Sequence, residues 1–237
     1  LQAYLESLQR PEIEVISVKI STIYSQLLPV ARRHCVEVLS DRLELLFRAA
    51  AKNQFIRSDG WIVPKFVYLD MEEYRDKDVT VAAFIDALER PGLKDVSAGI
   101  ALQAYIPDSF AAQQQLTLWA RRRVESGGAP ITIRLVKGAN MEMESVEASI
   151  RGWPLATYRE KLDTDANFAR MLRYGMQPEN LAAVRLGIAS HNLFTLAYAL
   201  TLAAERQAMD CVQFEMLEGM ANHQRRALFE LSQNMLL

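Results

Sequence analysis

Ile131-Thr132-Ile133-Arg134-Leu135-Val136-Lys137-Gly138-Ala139 is the stretch that decides the fold. Its first six residues are apolar and β-branched enough for a buried strand, and the strand runs directly into a Lys-Gly turn. An arginine near the mouth of such a strand is costly unless an anionic or electron-rich group meets it. A glycine placed there lets the backbone approach a ligand closely. A strand-end arginine can equally well pair with a neighbouring carboxylate, so this segment alone leaves structure and ligand binding open.

The same pattern recurs outward from this point. Apolar runs over residues 15–20, 66–70, 100–105, 131–136, 184–189 and 212–216 are each followed by a helical periodicity. Helices are predicted over 30–51, 79–89, 109–125, 164–174, 192–207 and 222–237, with an earlier one over 1–9. The stops are chemical: Pro91-Gly92 after the second, Gly127-Gly128 after the third, Gly175 after the fourth. Thr164 is a candidate N-cap.

Strand–helix alternation specifies a parallel sheet with helices outside it. Gly-x-Gly-x-x-Gly follows none of the strands, which argues against a dinucleotide-binding half. Polar groups instead fall at every strand mouth: Lys19, Asp70, Gln103, Arg134 with Lys137, Ser190 with His191, and Glu215. A (β/α)8 barrel builds its site in this way. The fold class expected is therefore α/β, a TIM-like barrel present as an incomplete fragment, about strands two to seven, in a single domain over residues 1–237. The lead-in helix implies a preceding strand, and a chain stopping within the last helix leaves room for another unit.

Composition narrows the function. The chain has 237 residues, half of them hydrophobic, and a net charge of -2, which gives no field for wrapping nucleic acid. Arg121-Arg122-Arg123 sits where cations favour a helix C-terminus. Two distant cysteines, Cys35 and Cys211, make no disulfide framework and suit a reducing compartment. No apolar run is long enough for a transmembrane segment.

Four chemistries fit the strand-end groups. A Schiff-base aldolase would use Lys19 or Lys137. A metal site would draw on Asp70, Glu72, Glu142, Glu144 and His191. Glu142 and Glu144 diverge on a helix, however, and Glu72 and Glu73 read as carboxylates at a helix start, so no metal is expected. A flavin enzyme would set Arg134 and Lys137 against the isoalloxazine and the pyrophosphate, with Ser190-His191 as an anion site before a helix. A structural ion-pair network is the fourth.

Six ordered segments then carry a resemblance: Val18-Lys19-Ile20-Ser21, Tyr68-Leu69-Asp70-Met71-Glu72-Glu73-Tyr74, Leu102-Gln103-Ala104-Tyr105, Arg134-Leu135-Val136-Lys137-Gly138-Ala139, Ala189-Ser190-His191-Asn192 and Phe214-Glu215-Met216-Leu217-Glu218-Gly219-Met220. Together they resemble the proline dehydrogenase domain of bacterial proline utilization A proteins. The resemblance implies FAD, oxidation of L-proline to Δ1-pyrroline-5-carboxylate with hydride passing to flavin N5, and a membrane quinone as electron acceptor. It also implies an aldehyde dehydrogenase domain in the same full-length protein, and a cytoplasmic location with peripheral contact to the inner membrane.

Carried over by position, the resemblance makes Lys19, Asp70 and Arg134 the catalytic residues. Lys19 and Asp70 form a charged pair at the substrate, and Arg134 lies beside flavin N5. Met71, Gln103, Val136, Lys137, Gly138 and Ala139 line the cofactor, Ser190 and His191 hold its phosphate or adenosine part, and Leu217 packs on the proline ring. Asn140 and Met141 stand where many members have an aromatic pair. The family's paired arginines on the final helix are absent, and Arg225-Arg226 reads as a surface pair. A methylenetetrahydrofolate reductase-like flavin barrel and a catalytically silent scaffold fragment are the alternatives.

Overall fold

The computed structural model describes residues 1–232 and the backbone of residues 235–236. The chain folds as two compact units, Leu1–Ala101 with Glu125–Ala129, and Leu102–Val124 with Pro130–Leu237.

The first unit opens with α1 (Gln2–Ser7), β1 (Val15–Lys19), the short α2 (Ile20–Ile23) and the long α3 (Arg32–Lys52). A hairpin follows, β2 (Gln54–Ile56) against β3 (Ile62–Pro64), then β4 (Phe66–Asp70), α4 (Lys77–Leu88) and the start of β5 (Gly99–Gln103). β1 and β4 pair in parallel from Val15↔Phe66 to Lys19↔Asp70, and β4 pairs with β5 through Tyr68↔Gly99. α3 turns Leu39, Leu43, Leu46 and Phe47 inward, a stripe at three- and four-residue spacing. Phe47 meets Phe84 of α4 edge to face, with ring centroids 6.1 Å apart.

The second unit carries the end of β5, α5 (Ser109–Glu125), β6 (Ile131–Val136), α6 (Met141–Arg151), α7 (Lys161–Gly175), α8 (Pro178–Leu181), β7 (Val184–Ala189), α9 (Leu193–Glu205), β8 (Val212–Glu215), α10 (Asn222–Ser232) and β9 (Met235–Leu236). Its strands pair in parallel, β6 with β7, β7 with β8 and β8 with β9. Past the end of β5, Ala104 N donates to Val136 O at 2.7 Å and Tyr105 N to Lys137 O at 2.8 Å. Parallel strands joined by helices, in chain order, make the mixed α/β architecture of an incomplete TIM-like barrel.

All six expected strands are present, and α5 has the bounds read from Pro107-Asp108 and Gly127-Gly128. Three expectations need correction, and the β2–β3 hairpin was not foreseen. α7 begins at Lys161, so Thr164 is a buried residue inside the helix and not its cap. Glu72 and Glu73 precede a 3₁₀ turn over Tyr74–Asp76 and the helix begins only at Lys77, so they do not sit in its first turn. The helix foreseen over 222–237 ends at Ser232, and Met235–Leu236 form β9, which pairs with β8. Gln233, Asn234 and Leu237 lie outside the described residues.

Candidate active site

In the first unit, β1 and β4 end side by side, and their last residues, Lys19 and Asp70, are register partners. Parallel pairing brings the two mouths level, so their groups emerge together. Lys19 Nζ lies 3.3 Å from Glu72, whose other carboxylate oxygen accepts from Ser21 Oγ. The lysine side chain is 52% exposed, so its pair with Glu72 is solvated. Such a pair contributes under about 1 kcal/mol to folding, and its charge stays available to a ligand. Met71, next in the chain, is buried.

The second unit gathers the remaining groups. On β6, Ile131, Ile133 and Leu135 are fully buried, while Arg134 and Val136 alternate to the opposite face. Arg134 Nε donates to Glu215 Oε2 on β8 at 2.5 Å, with side-chain exposures of 13% and 8%. Lys137 Nζ donates to Asp165 of α7 at 2.5 Å and stands 5.8 Å from the Phe168 ring centroid. Burial pulls the Asp165 carboxyl up, but hydrogen bonds and charges from Lys137 and Lys161 outweigh it and hold its pKa below the usual value.

Gly138 has φ +127°, and a Cβ there would lie 2.5 Å from the Tyr105 ring. The glycine therefore admits Tyr105, a neighbour that sequence reasoning did not supply. Tyr105 is buried at the end of β5, and its pKa is pushed up to about 12, first by burial and then by the Glu144 carboxylate. Gln103, two residues earlier, is also buried, while Gly138 and Ala139 are exposed.

At the β7–α9 junction, Asn192 caps α9 by accepting from Thr195 N at 3.0 Å. Ser190 Oγ accepts from Asn192 N, and Ser190 N donates to Glu215 O. His191 does not cap the helix. Its Nε2 accepts from Leu217 N at 3.1 Å, which assigns the hydrogen of the neutral ring to Nδ1. Nδ1 is buried without a partner. A buried donor left unmet costs on the order of 1–3 kcal/mol, so an anionic oxygen is well suited to this place. Leu217 itself is 67% exposed.

Arg134, Lys137, Ser190, His191 and Leu217 thus belong to the second unit, and Lys19, Asp70 and Met71 to the first. Sequence reasoning named Glu72 and Glu215 near strand ends without pairing them with the cations, and did not name Asp165. Elsewhere, Arg123 is buried and stacks over Trp119, in keeping with a structural role for the triple-arginine run. Arg225 is half-buried and Arg226 exposed on α10. No helix among the described residues is long and apolar enough to cross a membrane.

The chain is similar to proline utilization A (PutA) from Corynebacterium freiburgense, with 43% identity and a TM-score of 0.92 over 100% of this chain and 24% of that one. It is similar to PutA from Bdellovibrio bacteriovorus inactivated by N-propargylglycine, with 31% identity and a TM-score of 0.85 over 99% of this chain and 25% of that one. PutA from Bradyrhizobium japonicum shares the fold, at 22% identity and a TM-score of 0.81, over 99% of this chain and 23% of that one. The chain thus spans about a quarter of the length of these structures. No curated protein matches by sequence. The profile of the proline dehydrogenase family matches residues 2–237, and the chain belongs to that family.

Proposed function

We propose that this chain forms part of an enzyme that oxidises L-proline to Δ1-pyrroline-5-carboxylate, with FAD as its bound electron acceptor and a membrane quinone beyond it. Family membership supports the reaction. The relative inactivated by N-propargylglycine supports a site for a secondary amino acid. For the cofactor, the carrying observation is the donor set of the second unit. Arg134 and Lys137 stand at one strand mouth, and His191 presents a buried Nδ1 hydrogen with no partner. Those are the groups that a dinucleotide's electron-rich ring and its pyrophosphate require.

Bound there, the flavin would supply the two-electron acceptor that the oxidation needs. Arg134, Val136 and Lys137 with Gly138 and Ala139 would hold its ring and ribityl chain, Met71 and Gln103 would wall it, and Ser190 with His191 would take the phosphate or adenosine part. Lys19 offers its half-exposed ammonium to the proline carboxylate, and Asp70 accepts from the proline amine and so orients the ring. Leu217 covers the ring's apolar edge. Arg134 presents fixed positive charge where negative charge develops during oxidation, which lowers the barrier without reorganisation. The rest of the full-length protein would include the aldehyde dehydrogenase that consumes the product, and the whole would be cytoplasmic, touching the inner membrane peripherally to reach the quinone.

The test is the absorbance of purified full-length protein. A flavin spectrum that bleaches on anaerobic addition of L-proline is expected, and N-propargylglycine should abolish the bleaching. A colourless, proline-inert protein would refute the reading. Lys19→Ala separates binding from folding. Thermal stability should change by less than about 1 kcal/mol, while a carboxylate-bearing proline analogue should bind about tenfold more weakly, or worse, for want of a charged donor. Analogue binding at wild-type affinity would remove Lys19 from the substrate pocket.

A further inference from the structure

Arg134 and Glu215 stand on strands that are not neighbours, with β7 running between them. Arg134 is the register partner of Gly187, and Gly187 is the partner of Gln213, two residues before Glu215. Partners across a parallel ladder point to the same face, as do residues two apart on one strand. Arg134, Gly187, Gln213 and Glu215 therefore share a face. Gly187, on the strand between Arg134 and Glu215, puts no side chain on that face. The outcome is a 2.5 Å bond from Nε to Oε2 between two side chains that are both largely buried.

We propose that Glu215 is a positioning residue for Arg134: reaching across Gly187, its carboxylate orients the guanidinium before any ligand arrives. This rests on the flavin reading of Arg134 given above. A long cationic side chain without such an anchor has many rotamers, and each turnover would have to order it again. Glu215 also offsets the arginine's charge at a largely buried position. The backbone supports the arrangement, because Glu215 O accepts from Ser190 N and Ala189 is the register partner of Glu215. Glu215 acts through Arg134, so its removal should change how fast electrons move more than how well substrate binds.

The experiment uses the flavin-loaded full-length protein and stopped-flow reduction by proline. Glu215→Ala should slow flavin reduction about 10²-fold, the scale of a catalytic group misplaced by about 1 Å, while a proline analogue binds as tightly as before. Gly187→Val keeps both charges but puts a side chain on that face, and should slow reduction comparably. Glu215→Gln keeps an oxygen that can accept from Nε yet removes the offsetting charge, so the flavin midpoint potential should rise. The double variant Arg134→Met/Glu215→Ala removes both charges of the pair and remains informative if Glu215→Ala does not fold. It should be no slower than Arg134→Met alone, since both changes act on one interaction. Losses that multiply in the double variant, or an unchanged rate in flavin-loaded Gly187→Val and Glu215→Ala, would overturn the assignment and leave the flavin reading intact. A wild-type protein without flavin would overturn both.

Discussion

Arg134→Met, made in the full-length protein, is expected to lower the rate constant of proline-dependent flavin reduction by about 10²-fold or more, the usual loss on removing one preorganised charge donor. Methionine keeps much of the side chain's length and its apolar stem, so the loss is one of charge. The change also takes a 2.5 Å partner from the Glu215 carboxylate, which is 8% exposed. Breaking a buried pair from one side typically costs about 3–5 kcal/mol, because the remaining ion is left unsolvated. Lower thermal stability together with slower reduction is therefore expected, and chemical denaturation checks the first part independently of the flavin. A fully loaded variant that is reduced at the wild-type rate would exclude Arg134 from the reaction.

Gly138→Ala is expected to be the most damaging single methyl at the site. Its φ of +127° is one that residues with a Cβ rarely adopt, and the new carbon would lie 2.5 Å from Cγ and Cδ1 of Tyr105. Tyr105 cannot yield easily. Its N donates to Lys137 O, its O accepts from Tyr158 N, both at 2.8 Å, and its ring is buried. Strain and overpacking together should destabilise the protein on the order of 3 kcal/mol. Gly127→Ala is the control. It has a positive φ of +83° but nothing within 4 Å of the added carbon, so only the backbone strain remains. If thermal denaturation shows equal losses for the two variants, contact with Tyr105 is not what selects glycine at 138.

Much of the architecture could be read from local chemistry. Pro107-Asp108 and Gly127-Gly128 bracket α5, and the alternation of Ile131, Ile133 and Leu135 with Thr132, Arg134 and Val136 gives β6 its two faces. The hairpin escaped because each of its strands has only three residues, too few for alternation to emerge around Arg57-Ser58-Asp59-Gly60. At the site, the cations were legible because a charge in an oily strand is conspicuous. Their partners were not. Asp165 lies 28 residues from Lys137 and Glu215 lies 81 from Arg134, and no sequence period connects positions that meet only through the register of intervening strands. Tyr105 was missed for the same reason, since only the alignment of the β5 and β6 mouths places its ring over Gly138.

The parallel ladders also impose an order on how the chain can assemble. Val15 pairs with Phe66 and Ile131 with Val184, so these two ladders each close a loop of about fifty residues and must bear that loss of chain entropy before any contact repays it. The β2–β3 hairpin closes over residues 57–61 and needs no such gathering. Hairpins form within about 1–10 μs and helices faster still, whereas folds dominated by distant pairings take far longer. During synthesis, local pieces such as α3 and this hairpin can form as soon as they emerge. The ladder from β6 to β7 must wait until α7 and Val184 have followed, and in that interval the apolar face of β6 is the part of the second unit most in need of protection from other chains.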